Sequence, residues 1–195
     1  MTCPDAKRQV ATRRRGRQLE QAIFAAVLEE LAETGYTRLT IEGVAARART
    51  SRPVLYRRWP SRAALVLAAL VGGMPRIDDL PDTGELRSDV ITLLRTAACR
   101  FAGIDQEVLC GLIAETSRDP ELAATVRSTV LHGQEMMSVI LDRAATRGEI
   151  TSRPGPRVAT LPPVLLCHNL LLYGTIDEGT IADLVDEVFL PLVQA

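Results

Sequence analysis

The fold is decided over residues 40–62, Thr40-Ile41-Glu42-Gly43-Val44-Ala45-Ala46-Arg47-Ala48-Arg49-Thr50-Ser51-Arg52-Pro53-Val54-Leu55-Tyr56-Arg57-Arg58-Trp59-Pro60-Ser61-Arg62. Three hydroxyl residues punctuate it. Thr40 is placed to N-cap a helix over 41–48, Ser51 one over 52–58, and Ser61 a third that runs to about Gly72. Pro53 falls in a first turn, where its missing N–H is harmless, and Pro60 separates the second helix from the third. Ile41, Val44, Ala45 and Ala48 give the first helix an inner face of small and branched side chains, which lets the second cross closely. Val54 and Leu55 then point inward, leaving Arg52, Tyr56, Arg57 and Arg58 outside. Two short helices with a tight turn, the second rich in arginine, have the shape of a helix-turn-helix.

Helical period extends outward on both sides. Upstream, Leu19, Ile23, Val27 and Leu31 recur every four residues from Arg17 to Thr34, and Gly35 closes that helix. Downstream, Gly72, Gly73, Pro75, Asp78, Asp79, Pro81 and Asp82 read as a loop. Four or five longer helices follow. One carries Leu86, Val90, Leu93, Leu94, Ala97 and Phe101, and another Val108, Leu109, Leu112 and Ile113. Asp119-Pro120 opens a helix of about 28 residues, roughly 42 Å, that ends at Gly148. Ile181, Leu184, Val185, Val188, Phe189 and Leu192 form a final stripe. Between them, 157–173 is apolar on all sides of the helix rather than on one. Its own core covers one side, so a second chain is the expected cover for the other. Pro162-Pro163 is expected to kink this helix or delay its start. No alternating strand pattern or internal repeat occurs, so the fold class is all-α with about nine helices.

The chain has 195 residues, 47% hydrophobic and 24% charged, which excludes wholesale disorder. Its longest apolar run, Ala63 to Val71, is far short of the ~20 residues a membrane span needs. No secretory signal follows the basic N-terminal residues, and Cys3, Cys99, Cys110 and Cys167 form no C-x-x-C pair. Three of them lie in apolar, helix-like surroundings, so structural thiols and a cytoplasmic location are expected. The formal net charge of −1 conceals a division: residues 1–62 carry a surplus of seven positive charges and the remainder a surplus of eight negative ones. Such asymmetry fits a polyanion at one end, although a solvated basic surface is the plainer reading of charge alone.

The string 35–46, Gly-Tyr-Thr-Arg-Leu-Thr-Ile-Glu-Gly-Val-Ala-Ala, followed by 51–65, Ser-Arg-Pro-Val-Leu-Tyr-Arg-Arg-Trp-Pro-Ser-Arg-Ala-Ala-Leu, strongly resembles the tetracycline-repressor (TetR/AcrR) family. Weaker likeness to a C-terminal ligand-binding domain of that family runs through 84–89, 114–122 and 145–150. The resemblance implies a homodimeric, small-molecule-responsive transcriptional regulator, usually a repressor. It also implies a flexible arm over 1–12, a DNA-binding domain over 13–60, and a ligand-binding and dimerisation domain over 61–195. Many members carry glycine in the inter-helix turn, where this chain has Arg49. An arginine at positive φ costs about 1–2 kcal/mol, so either the turn differs or it is strained.

Residue types then assign roles on double-stranded DNA. Arg13, Arg14, Arg15 and Arg17 suit the electronegative minor groove. Thr40, and Ser61 with Arg62, bring helix N-termini and a charge to phosphate oxygens, with Arg49, Ser51, Tyr56 and Arg58 as further contacts. Arg52, Pro53, Val54 and Arg57 are the candidates for base edges of an inverted-repeat operator. Trp59 reads as a packing anchor before Pro60. Phe101, Cys110, Ile113, His132, Met136 and His168 are candidate linings for a largely apolar effector. Leu165, His168, Leu172, Ile181, Leu184, Val185 and Val188 are candidates for a four-helix homodimer interface.

Other chemistries lack their residues. His132 with Glu135, and the separate His168, do not make the three or four converging ligands a metal needs. Met136-Met137 suits a core. Asp78-Asp79 and Asp186-Glu187 fall in a loop and on a polar face, and neither a nucleophile elbow nor a phosphate-cradling loop occurs. No enzyme, metal or cofactor is expected. The rival reading is a helical interaction module whose basic end binds an acidic protein or membrane surface.

Overall fold

The structure, a computed structural model, describes the backbone of residues 4–194 and the side chains of residues 16–194. Among these residues there is no strand. The chain divides into two compact units, residues 1–72 and 73–195.

The first unit holds α1 (Pro4–Thr34), α2 (Ile41–Arg47), α3 (Arg52–Tyr56) and α4 (Arg62–Val71). Helix α1 takes in residues expected to form a flexible arm, because its backbone is already helical from Pro4. The unit also reaches beyond the boundary expected at residue 60. Ala63, Leu65, Val66, Leu67, Ala69 and Leu70 of α4 are buried, and α4 packs along α1, so the fourth helix completes this core rather than starting the next.

Capping works largely as the hydroxyls foretell. Thr40 Oγ1 accepts from the Gly43 N–H at 3.0 Å and Ser61 Oγ from the Ala64 N–H at 3.1 Å. Ser51 holds the third cap position in extended conformation but makes no side-chain cap bond.

Helix α2 lies close on α1 because residue 43 has no side chain. A Cβ there would fall 2.1 Å from Glu30 Oε1. The Glu30 carboxylate, buried beneath α2, accepts from Arg47 Nε at 3.2 Å and Nη2 at 3.1 Å. Arg47 also forks onto Glu33, at 3.0 and 2.6 Å. One guanidinium therefore clamps the two helices together.

The second unit begins with a 3₁₀ turn (Ile77–Asp79) and continues with α5 (Leu86–Phe101), α6 (Gln106–Glu115), α7 (Pro120–Arg147), α8 (Pro156–Tyr173) and α9 (Glu178–Asp183). A π-helical stretch (Leu184–Phe189) and α10 (Leu190–Gln194) prolong α9 without a break, so these pieces count as one rod and the described residues form nine helices. Asp119 Oδ1 caps α7 through the Glu121 and Leu122 N–H groups, both at 3.0 Å, and Gly148 ends it at φ 79°.

Two segments far apart in sequence meet at one polar knot. Fully buried Asp89 accepts from the Thr83 N–H (2.6 Å), from Thr83 Oγ1 (2.8 Å) and from Arg147 Nη2 (3.3 Å). Arg147 Nε donates to Glu149 at 2.6 Å, whose other oxygen accepts from the Leu86 N–H at 2.7 Å and so caps α5 from outside.

Helix α8 runs through Pro162 and Pro163, so the expected delay of its start does not occur. Tertiary packing offsets the lost backbone bonds. Pro162 is buried, Pro163 lies against Gly133 of α7, and Thr160 Oγ1 donates to Gln134 at 3.2 Å.

Substituting Asp89→Ala leaves the Thr83 N–H and one arm of Arg147 without their acceptor, and should cost about 3 kcal/mol or more in chemical denaturation. A loss under about 1 kcal/mol would show that the knot is decorative.

Candidate nucleic-acid interface

The turn between α2 and α3 is a left-handed helix stop. The Arg49 N–H bonds the Ala46 carbonyl at 3.2 Å and the Thr50 N–H reaches back to Ala45 at 2.9 Å, the pairing of a Schellman motif. Arg49 takes φ 52°, the one positive φ outside glycine among the described residues. The turn therefore keeps the geometry that a glycine would serve, and Arg49 bears the strain.

Beyond it, Leu55 is almost fully buried and fixes the roll of α3. Arg52, Pro53, Tyr56 and Arg57 are thereby exposed together, with Tyr56 half open to solvent, while Val54 is half-buried at the edge of the core. Trp59 is buried, its ring 5.6 Å from that of Phe24 on α1, as a packing anchor should be.

The cations divide by partner. Arg58 donates to Glu20 at 3.3 Å and sits 5.9 Å from the Trp59 ring, so it ties the end of α3 to α1. Arg62 lies over the Tyr36 ring at 4.4 Å and donates to the Tyr36 and Thr37 carbonyls at 2.9 and 3.4 Å. Arg47 is spent on Glu30 and Glu33, and its hydrogen bonds hold the Glu33 carboxyl below its usual range. Arg52 pairs with Glu42 on α2, and that bond likewise keeps Glu42 ionised further into acid. Exposed Arg17, Arg49 and Arg57 make no side-chain hydrogen bond or ion pair with the described residues. The side chains of Arg13, Arg14 and Arg15 lie outside the described residues.

The sequence reading missed the partners. Glu20, Glu30, Glu33 and Glu42 stand 10 to 38 positions from the arginines they hold, beyond any helical spacing rule.

In the second unit the candidate effector residues do not share one buried face. Met136 is buried in the core and Phe101 is partly buried against it. Cys110 and Ile113 are exposed on α6, and His168 is exposed on α8 with its ring 6.4 Å from that of Tyr173. His132 is half-buried, 3.6 Å from Glu135. Cys99, Cys110 and Cys167 are free and exposed rather than buried as small hydrophobes; Cys3 lies outside the described residues.

Of the candidate dimer residues, His168, Leu172 and Val188 are exposed and Leu165 is half-buried against the core. Ile181, Leu184 and Val185 are buried in this protomer and present no surface to a second copy. Their stripe is the inward one, which packs on α5 and α8; the outward face of the same rod carries Val188 and Leu192. Helix α8 likewise leaves Val164, Leu172 and Tyr173 uncovered. No described helix is long and apolar enough to cross a membrane.

Comparison with known proteins agrees with this architecture. Residues 23–69 match the family of bacterial regulatory proteins called tetR, and residues 80–188 match the tetracyclin repressor-like C-terminal domain. An HTH-type transcriptional regulator of Mycobacterium tuberculosis is 36% identical, over 88% of this chain and 86% of that protein. The DNA-binding transcriptional repressor TetR of Mycobacteroides abscessus is 31% identical, over 92% of this chain and 96% of its own. The crystal structure of the TetR family transcription regulator SCO0332 superposes with a TM-score of 0.70 at 25% identity, covering 88% of this chain and 97% of that one. Regulators of this kind bind DNA operators and typically act as dimers. With both units matched and a helix-turn-helix whose second helix turns its arginines outward, this chain belongs to the tetR family of DNA-binding transcriptional regulators.

Proposed function

We propose that the chain is a repressor that reads an inverted-repeat operator as a homodimer and leaves it when a small, largely apolar effector binds the second unit. The observation that carries the DNA-reading part is the division of cations on the first unit. Arg47, Arg58 and Arg62 are engaged in holding helices together, whereas Arg57 and Arg49 are exposed beside half-exposed Tyr56 and have no partner among the described residues. A guanidinium without a partner on the protein is available to fork onto guanine O6 and N7 or to dock on phosphate.

In this reading α3 lies in the major groove, with Arg52 and Arg57 facing base edges and Pro53 and Val54 offering apolar contact to a thymine methyl. Thr40 and Ser61 present the N-termini of α2 and α4 to the backbone. Arg17, Arg49 and Tyr56 reach phosphate or the minor groove. Arg62 contributes by holding the α1–α2 loop in place, as its bonds to Tyr36 and Thr37 indicate.

Dimerisation uses the outward faces of α8 and the C-terminal rod: His168, Leu172 and Val188 from the sequence reading, joined by Val164 and Leu192. These side chains leave apolar surface on both helices, which a second copy would cover. The effector acts by binding one arrangement of the dimer better than the other, since a ligand shifts an equilibrium only through that difference.

Selection of bound fragments from genomic DNA identifies the operator, and binding titrations then compare it with a scrambled duplex. The operator should be preferred by about 10³-fold or more. Equal affinity for both, or a preference for acidic proteins or anionic vesicles, would overturn the assignment. Arg57→Ala should cost about 1–3 kcal/mol at particular base pairs. Arg62→Ala should weaken all sequences alike and also lower the melting temperature of the first unit.

Arg49→Gly should relieve the left-handed strain and stabilise the protein by about 1 kcal/mol in thermal unfolding, while weakening DNA of every sequence to a similar small extent. Leu172→Asp, a change at an exposed position, should shift the particle from dimer to monomer in solution scattering without unfolding it. A dimer that survives would move the interface elsewhere.

A further inference from the structure

One carboxylate stands among the groove-facing cations. Glu42, at the second position of α2, accepts a hydrogen bond from Nη1 of Arg52, the first residue of α3. Both side chains are open to solvent, 58% and 59% exposed, so the pair contributes little to folding. The other carboxylates that hold cations in this unit act differently. Glu30 is buried under α2, Glu29 and Glu33 share the same clamp, and Glu20 ties Arg58 back to α1. Among the described residues, Glu42 alone holds an arginine that the fold would otherwise leave free on the helix-turn-helix surface, at a place where a negative charge would be repelled by phosphate.

We infer that Glu42 is a positioning residue for base recognition, holding Arg52 so that its remaining N–H groups form a fork for guanine. This rests on the reading of α3 as the helix in the major groove. The chemistry follows from the count of donors. A guanidinium has five N–H groups in a fixed plane, and Glu42 occupies one at Nη1. The Nε and Nη2 edge remains free to bond O6 and N7 together. A free arginine loses the freedom of several torsions on docking, and a tethered one loses less. The tether also sets a threshold. Where the facing base pair offers no pair of acceptors, Arg52 stays on Glu42, and the carboxylate meets base and phosphate oxygens it repels. Glu42 thus lowers affinity for wrong sequences more than for the right one, which is how a repulsive element generates specificity.

Position in the first turn of α2 gives Glu42 a second possible role, stabilising the helix N-terminus. That role would change the melting temperature and leave base preference alone, so the two are separable. The test uses the full chain, with its preferred operator selected from random duplexes, and measures binding by anisotropy at fixed salt on the operator and all its single-base variants. Arg52→Ala first marks the base pair that Arg52 reads. Glu42→Gln should then bind scrambled DNA about two- to threefold more tightly and lose roughly fivefold or more of the discrimination at that one base pair. Discrimination at positions read by Arg57 should not change. In the Arg52→Ala background, Glu42→Gln should alter no base preference. Arg52→Lys, which keeps a cation beside Glu42 without the fork, should lose discrimination at the same base pair and gives a readout that leaves Glu42 untouched.

Glu42→Gln that tightens every duplex equally, with the base profile intact, overturns the inference and leaves a plain charge effect. A changed profile in the Arg52→Ala background overturns it too, because Glu42 would then read the base itself. A wild-type protein with no preferred sequence overturns the operator reading and this inference together. A preferred sequence with an unmoved profile in Glu42→Gln overturns this inference alone.

Discussion

What α3 presents to solvent depends on how sharply the chain turns between residues 48 and 51. Two backbone bonds, Arg49 to Ala46 and Thr50 to Ala45, close the end of α2 and force a left-handed residue between them. Leu55, buried in the core, then anchors the next helix so that its remaining side chains have one way to face. The strain at Arg49 is tolerated because it is shared with this anchoring: straightening the turn would lift Leu55 out of the core, a loss of roughly 2–3 kcal/mol. A glycine there would be more comfortable and would carry no charge.

The same unit shows why a count of basic residues is a poor measure of a nucleic-acid surface. Arg47, Arg58 and Arg62 look equivalent to Arg52 and Arg57 in the sequence. They differ in what lies beneath them. Arg47 sits over the buried Glu30 because Gly43 leaves space for that carboxylate under α2. Arg62 finds a ring face and two carbonyls on the α1–α2 loop. These are bonds across the first unit, and they fix the backbone from which the exposed arginines extend.

Much of the fold was legible because helix ends announce themselves chemically. Thr40, Ser61 and Asp119 cap as their types predict, and Gly35 and Gly148 stop their helices at φ 74° and 79°. The family motif over 35–65 also identified α3 and its outward arginines. Periodicity was weaker where two faces compete. The stripe of Ile181, Leu184 and Val185 is real but faces inward, and a helix wheel cannot say which of two apolar faces meets its own chain. Of the two effects expected of Pro162 and Pro163, the delayed start does not occur, because their cost is local while the packing of α7 that offsets it is not. The ion pairs and the Asp89 knot were invisible for the same reason. They join residues that no spacing rule connects, although the segments 84–89 and 145–150, noticed separately in the sequence, turn out to be the two halves of that knot.

The charge division gains a physical meaning once the units are separated. Acidic surplus falls after residue 62, and part of it holds the second unit together: Asp186 pairs with Arg87, Glu178 with Arg95, and Asp82, Asp89 and Glu149 with Arg147. The Arg87 bond holds the Asp186 carboxyl below its ordinary range, so that link persists well into acid. Basic surplus falls on the first unit, where Arg17, Arg49 and Arg57 have no side-chain partner among the described residues. A dimer would thus bring DNA two cationic units together with two whose net charge repels the duplex. Salt screens that repulsion beyond about 10 Å. The repulsion acts at short range, against close approach of the duplex to the acidic surface of the second unit.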